Sequence, residues 1–137
     1  MKSNKLSQLP TALVLAARQA QINAYAPYSS FKVGAAIQAD NGEVYQSCNV
    51  ENAAYPLGQC AEAGAISSMI AAGGKKIVEI VIVGPNDDFC FPCGGCRQKL
   101  AEFSNSDTPV RLVTKNDEMH LTSVGELLPN AFNFEKG

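Results

Sequence analysis

The sequence predicts an α/β fold: a three-layer α/β/α sandwich on a mixed five-stranded sheet. Three observations predict it. Segments of helical period alternate with segments of strand character along most of the chain, the pattern of helices packed against a sheet. Asp40-Asn41-Gly42 separates two strand-like runs and is a strong hairpin turn, so part of the sheet is antiparallel. Ile77 to Val83 is dominated by β-branched residues, which suits a strand covered on both faces. The strand-helix-strand alternation after residue 77 implies parallel crossovers beside one antiparallel hairpin. With 137 residues, 46% hydrophobic and 18% charged, residues 1–137 read as a single globular domain long enough to bury a core.

The elements follow in order. Leu6 to Tyr25 reads as the first helix, because Leu9, Leu13, Ala16, Ala17, Ala20 and Ala24 recur at helical spacing and Pro27 bars continuation. Phe31 to Ala39 is a strand rich in small residues, and Glu43 to Asn49 returns antiparallel after the turn. Val50 to Gln59 is irregular, broken by Pro56 and Gly58. Cys60 to Ala72 is an Ala-rich helix ended by Gly73-Gly74. After the Ile77 to Val83 strand, Gly84 to Pro92 is a loop and Cys93 to Phe103 a third helix. Val110 to Thr114 and Met119 to Thr122 are short strands, and Ser123 caps a final helical turn through Leu127.

Charge and targeting features narrow the function. Eleven Lys and Arg against thirteen Asp and Glu leave a net charge of −2, which argues against a nucleic-acid partner that needs a basic face. No stretch approaches the roughly 18 apolar residues of a membrane span, and no apolar segment follows Lys2 and Lys5 as a secretory signal requires. The expectation is a cytoplasmic, reduced protein without a membrane partner. Five cysteines, an odd number, do not make a closed disulfide framework, so cysteines at motif spacing point to metal or catalysis.

Cys93-Gly94-Gly95-Cys96 is a C-x-x-C pair at a helix start, where two thiolates can reach one ion. Cys60 occupies the same place on its own helix. Helix N-termini lower thiol pKa values, so two of them aimed at one spot would offer three thiolates to Zn²⁺. Three ligands with an open fourth position is the catalytic arrangement, with water in the fourth place. Glu62, in the first turn after Cys60, can approach that water without binding the metal. Two other readings of the motif stand: a redox dithiol, or a structural zinc site using His120 or another Cys as fourth ligand. Cys48 and Cys90 read as small apolar packing residues.

Cys60-Ala61-Glu62 followed by Pro92-Cys93-Gly94-Gly95-Cys96 resembles the zinc deaminase signature. Tyr28 to Ala36 is similar to the first strand of the small cytidine deaminases. Asn49-Val50-Glu51-Asn52-Ala53-Ala54-Tyr55 is similar to their ribose-binding segment. Cys96-Arg97-Gln98 and Leu127 to Phe132 also resemble that family, so the likeness runs from about Leu13 to Phe132.

The resemblance implies a homotetrameric enzyme that turns cytidine and deoxycytidine into uridine and deoxyuridine plus ammonia, with Zn²⁺ as cofactor. It implies Glu62 as the proton shuttle and Cys60, Cys93 and Cys96 as ligands. Asn49 and Glu51 would hold the ribose 3′-hydroxyl, Phe31 would line the pyrimidine pocket, and Ala61 joins the substrate-binding set. Phe132 would reach a neighbouring subunit's site, and Ala53 and Tyr55 would lie in a segment crossing subunit boundaries. Independently of the likeness, Asn49 and Glu51 face the same way on extended backbone and can fix a hydroxyl pair; a solvated strand end is the other reading of them.

Three thiolates on Zn²⁺ leave a net charge of −1, which weakens the ion as a Lewis acid unless nearby cations draw charge off the sulfurs. Arg97, next to Cys96, suits that task. Many small cytidine deaminases also carry Arg directly after the catalytic Glu, whereas this chain has Ala63 and Gly64 there; Lys99 or backbone amides are candidates to compensate. A deaminase acting on another nucleoside, such as the antibiotic blasticidin S, on a modified cytidine or on a base in RNA is the alternative. A non-catalytic zinc module is a further one.

Overall fold

The computed structural model describes residues 10–134. The elements are α1 (Thr11–Ile22), β1 (Gly34–Ala39), β2 (Val44–Cys48), a 3-10 turn (Tyr55–Leu57), α2 (Ala61–Ala71), β3 (Ile77–Val83), α3 (Gly94–Glu102), β4 (Pro109–Val113), β5 (Met119–Ser123) and α4 (Val124–Leu127). The strands form one five-stranded sheet in the order β2-β1-β3-β4-β5.

Side-chain alternation along the strands builds the layers. Ile80 and Ile82 of β3 face α2 and α3, in a core shared with Ala35, Ile37, Val110, Leu112, Met69 and Leu100. Val81 and Val83 face the other way, into a second core with Leu13, Val14 and Ala17 of α1. All four β3 residues are fully buried, as a strand apolar on both sides requires. The expected α/β/α sandwich is therefore present, with α1 on one face and α2 and α3 on the other.

Pairing is more antiparallel than the alternation of elements implies. Only β3 and β4 pair in parallel, while β1–β2, β1–β3 and β4–β5 are antiparallel. One cause is that β1 lies between β2 and β3, so the α2 crossover joins two strands that share a direction but not a ladder. The other is the short loop after β4. Its Thr114 hydroxyl accepts from the N–H groups of Asn116 and Glu118, and Asp117 takes φ 65°, which turns the chain straight back.

Element ends shift where residues distant in sequence recruit the backbone. The predicted start of the first helix, Leu6 to Leu9, lies outside the described residues. Its end comes at Ile22 rather than Tyr25, because the Tyr25 backbone is recruited elsewhere: Tyr25 N–H donates to Asn49 O at 3.0 Å and Tyr25 O accepts from Glu51 N–H at 2.8 Å. β1 begins at Gly34 rather than Phe31 because the Asn49 side chain replaces the ladder there. It accepts from Val33 N–H at 2.9 Å and donates to Phe31 O at 2.8 Å. Ser123 caps α4 as expected, accepting from Glu126 N–H.

Small residues let the layers approach. A Cβ on Gly34 would lie 2.0 Å from the carbonyl oxygen of Ala17, so α1 sits directly on β1. Gly64 plays the same part between α2 and β2, where a Cβ would lie 2.1 Å from Ser47 Oγ. Among the described residues no helix is long and apolar enough to cross a membrane. Gly34→Ala is expected to cost about 1–3 kcal/mol by overpacking a contact that backbone cannot vacate. The measurement is a lowered urea midpoint with an unchanged slope.

Candidate active site

Two helix starts build the centre. Cys60 and Cys93 are the N-cap residues of α2 and α3, both with extended backbone, and neither side chain caps its own helix. Their carbonyls instead open the helices, accepting from Gly64 N–H at 3.2 Å and Arg97 N–H at 3.0 Å. Their thiols are thus left to meet each other and that of Cys96, three residues on and therefore on the same side of the first turn. The three Sγ atoms lie within 4.8 Å of one another. Cys96 is buried, Cys60 partly buried and Cys93 exposed.

The electrostatics of the cluster follow from crowding. Burial pushes the Cys60 thiol up, with the charges of Cys93 and Glu62 adding to it. Burial also raises Cys96, joined by the charges of Glu62 and Cys60. Cys93 moves the other way, held down chiefly by the backbone N–H of Cys96. Glu62 is 4% exposed, and burial raises its carboxyl above the ordinary range; its own backbone N–H and the charge of Lys99 oppose the shift. Groups that resist ionising beside one another are those a cation would relieve. The donor set of three soft thiols at this separation fits zinc and leaves one coordination position open.

The competing ligand readings meet this geometry directly. Cys60 joins the C-x-x-C pair, so the motif is part of a three-thiol group rather than a lone dithiol. His120 makes tilted ring contacts with Phe89 and Phe91 instead, with ring centroids 5.4 and 5.6 Å away. Cys90 is partly buried against the core, and burial pushes its thiol to about 11. Cys48 is partly buried at the end of β2.

The 49–51 segment reaches the centre through backbone pairing. Val50 and Gln59 exchange hydrogen bonds of 2.9 and 2.8 Å, which lays this segment beside Cys60. A cavity of about 250 Å³ is lined by Asn49, Glu51, Tyr55 and Cys60 among others. Glu51 accepts from the N–H groups of Tyr28 (3.0 Å) and Ser29 (3.2 Å) and from the Ser29 hydroxyl. The Ser29 hydroxyl is the main reason the Glu51 carboxyl sits below its usual range. Ser29 Oγ in turn accepts from Phe31 N–H at 3.0 Å. Phe31 is thus bound into one unit with Asn49 and Glu51, which lie well beyond it in the sequence.

The remaining expected residues are placed as follows. Ala61 is fully buried in the core under α2. Arg97 gives its donors to backbone, Nε to Pro92 O at 2.8 Å and Nη1 to Leu127 O at 3.0 Å, so it ties the loop before Cys93 to the C-terminal segment. Ala63 borders a cavity of about 400 Å³ together with Cys60 and Lys99. Lys99, whose charge favours the ionised form of Glu62, therefore stands near the place where the family commonly has Arg. Phe132 is 68% exposed on the C-terminal segment. Sequence reasoning assigned no role to Ser29 or Gln98; both lie inside recognised motifs, but only spatial neighbours reveal what they hold.

A mixed sheet sandwiched by helices, with three thiols and a buried carboxyl where two helix N-termini converge, is the layout of the zinc deaminases. Comparison with known proteins narrows the class. The cytidine and deoxycytidylate deaminase zinc-binding region matches residues 7–111. The chain is 39% identical over 123 residues to the cytidine deaminase of Sporosarcina psychrophila, covering 90% of each chain. It is 41% identical over 123 residues to that of Halalkalibacterium halodurans, covering 90% of this chain and 93% of the other. The crystal structure of cytidine deaminase from Burkholderia pseudomallei superposes with a TM-score of 0.86 at 43% identity, covering 91% of this chain and all of that one. The chain belongs to the cytidine and deoxycytidylate deaminase family.

Two outcomes are expected. Zinc held by Cys60, Cys93 and Cys96 should shield those thiols from a disulfide reagent, and chelation under native conditions should expose them. Counting fast-reacting thiols before and after chelation checks this. For Glu51, a folded pKa below its ordinary value of 4.5 means stabilisation that is present above that value and lost as pH falls through the lowered one. Glu51→Gln should therefore unfold at lower urea than the parent near neutrality, with the gap closing in acid.

Proposed function

We propose that the protein hydrolyses free cytidine and deoxycytidine to uridine and deoxyuridine with release of ammonia. The observation that carries this reading is the buried Glu62 carboxyl beside the three-thiol group, with Asn49 and Glu51 across the adjoining cavity. Zinc held by Cys60, Cys93 and Cys96 would supply Lewis acidity that makes water a nucleophile near neutral pH.

Glu62 carries the proton traffic. Its carboxyl must take a proton from water and give it to ring N3, then take the proton of the new 4-hydroxyl and pass it to the departing 4-amino group. A carboxyl raised by burial suits both directions of transfer, because its two forms lie closer in energy near neutral pH. Asn49 and Glu51 would meet the ribose 3′-hydroxyl, Phe31 would line the base pocket, and Ala61 would contribute from the turn between Cys60 and Glu62. The Glu51 carboxylate is held by Tyr28 and Ser29 on one side, so it enters the site already oriented. Arg97 would steady the Pro92–Cys93 turn while lending positive charge to the sulfurs.

The site is open on a single chain. Tyr55 and Leu57, which line the cavities beside Cys60, are 84% and 71% exposed, and Phe132 on the C-terminal segment is 68% exposed, more apolar surface than a lone subunit needs to show. This supports a homotetramer in which Phe132 reaches a neighbouring site and the segment of Ala53 and Tyr55 crosses a subunit boundary. Five free cysteines support a reducing, cytoplasmic setting.

Glu62→Gln is expected to keep its zinc and lose about 10²- to 10⁴-fold in kcat/KM, followed by ammonia release. Undiminished turnover would remove Glu62 from the chemistry. Rapid turnover of cytosine but not cytidine would overturn the nucleoside assignment.

A further inference from the structure

We propose that Gln98 is a positioning residue that sets Phe132 for use in a neighbouring copy's site, and that α3 with its N-cap therefore carries both Cys93 and Cys96 and the tether of the donated aromatic. The proposal rests on the reading of Phe132 given above and adds the residue that holds it. Gln98 Nε2 donates to Phe132 O at 3.0 Å, and Phe132 N–H donates to Gln98 Oε1 at 3.2 Å. One side-chain amide thus pairs with both backbone groups of one residue, as a neighbouring strand would. The partners are 34 residues apart in sequence, so no local structure enforces the match.

The surroundings give that clamp a purpose. Gln98 is two residues beyond Cys96, on a helix whose first turn is fixed by the thiol cluster. Its neighbour Arg97 holds Leu127 O, so the C-terminal segment is fastened to α3 at two points. The Phe132 ring nevertheless points away from its own core. It is 68% exposed and packs on Phe134, itself 88% exposed, with centroids 6.4 Å apart. A segment whose backbone is pinned and whose aromatic rings are left bare is organised to present those rings to something else. A second copy of this chain is the occupant that the open cavity beside Cys60 and the exposed Tyr55 favour.

The clamp orders the aromatic before substrate arrives, so its loss should weaken binding and leave proton transfer at Glu62 alone. Gln98→Met keeps the volume and removes both hydrogen bonds. It is expected to raise KM for cytidine about five- to tenfold with kcat within about twofold, at unchanged zinc content and oligomer mass. Phe132→Ala should raise KM similarly, and the double variant should be no worse than the worse single one, because both remove the same interaction. Gln98→Glu keeps the acceptor for Phe132 N–H and should fall between, which also covers failure of the Met variant to fold. The chain has no Trp, so Phe132→Trp gives a unique reporter. Adding Gln98→Met should make its emission easier to quench with acrylamide.

A KM rise in Phe132→Ala without one in Gln98→Met or Gln98→Glu overturns the proposal, as does full additivity in the double variant. An unchanged KM in Phe132→Ala overturns the underlying reading instead, and the quenching comparison then shows separately whether Gln98 holds the segment.

Discussion

The structure turns on a concentration of acidic groups that a protein interior does not tolerate unaided. Three thiols within 4.8 Å share their surroundings with a carboxyl that is 4% exposed. Burial raises Cys60, Cys96 and Glu62, and neighbouring charges add to the shift of the two thiols, while donors from Cys96 and Cys60 hold Cys93 down. The arrangement makes sense as the seat of a divalent cation. The rest of the fold keeps the four groups together: two helix starts supply the thiols, and their backbone N–H groups and dipoles face the negative charge. Glycine at position 64 lets α2 lie close on β2, so that Cys60 and Glu62 are aimed from a rigid support.

Around this centre, polar side chains do the work that regular secondary structure leaves undone. Asn49 stands in for a strand from Phe31 to Val33, and Glu51 gathers the backbone of Tyr28 and Ser29. The proposed nucleoside contacts thus belong to residues that also shape the cavity wall. Arg97 and Gln98 do the same from α3, binding the Pro92 turn, Leu127 and Phe132 to one helix. Ala63 leaves open the volume that Lys99 and Cys60 border. The cationic counterweight to Glu62 therefore comes from α3, not from the residue following Glu62.

Much of this was legible in the chain. Ile77 to Val83 matched its strand end to end, because a β-branched run has one economical use in a sandwich. The hairpin at Asp40 to Gly42, with φ 83° at Gly42, followed from turn chemistry. The spacing of Cys60, Glu62, Cys93 and Cys96 pointed to one centre before any coordinates did. What escaped was set by partners far along the chain. The first helix stops at Ile22 because Tyr25 pairs with the segment around Val50, and β1 starts late because Asn49 intervenes. The hairpin and the parallel β3–β4 pair were read correctly, but the antiparallel β1–β3 and β4–β5 pairs escaped, since inserting β1 between β2 and β3 leaves no trace in the order of elements.

Local residue chemistry, then, determined by itself the classes of element, the two faces of the sheet and the identity of the reactive groups. Periodicity, turn propensity and ligand type are properties of short stretches. Tertiary structure alone decided that Glu62 loses its water, and that Arg97 and Gln98 fasten the C-terminal segment to α3. Those outcomes depend on contacts tens of residues apart and on the exclusion of solvent by packed layers, and neither is encoded within any one segment.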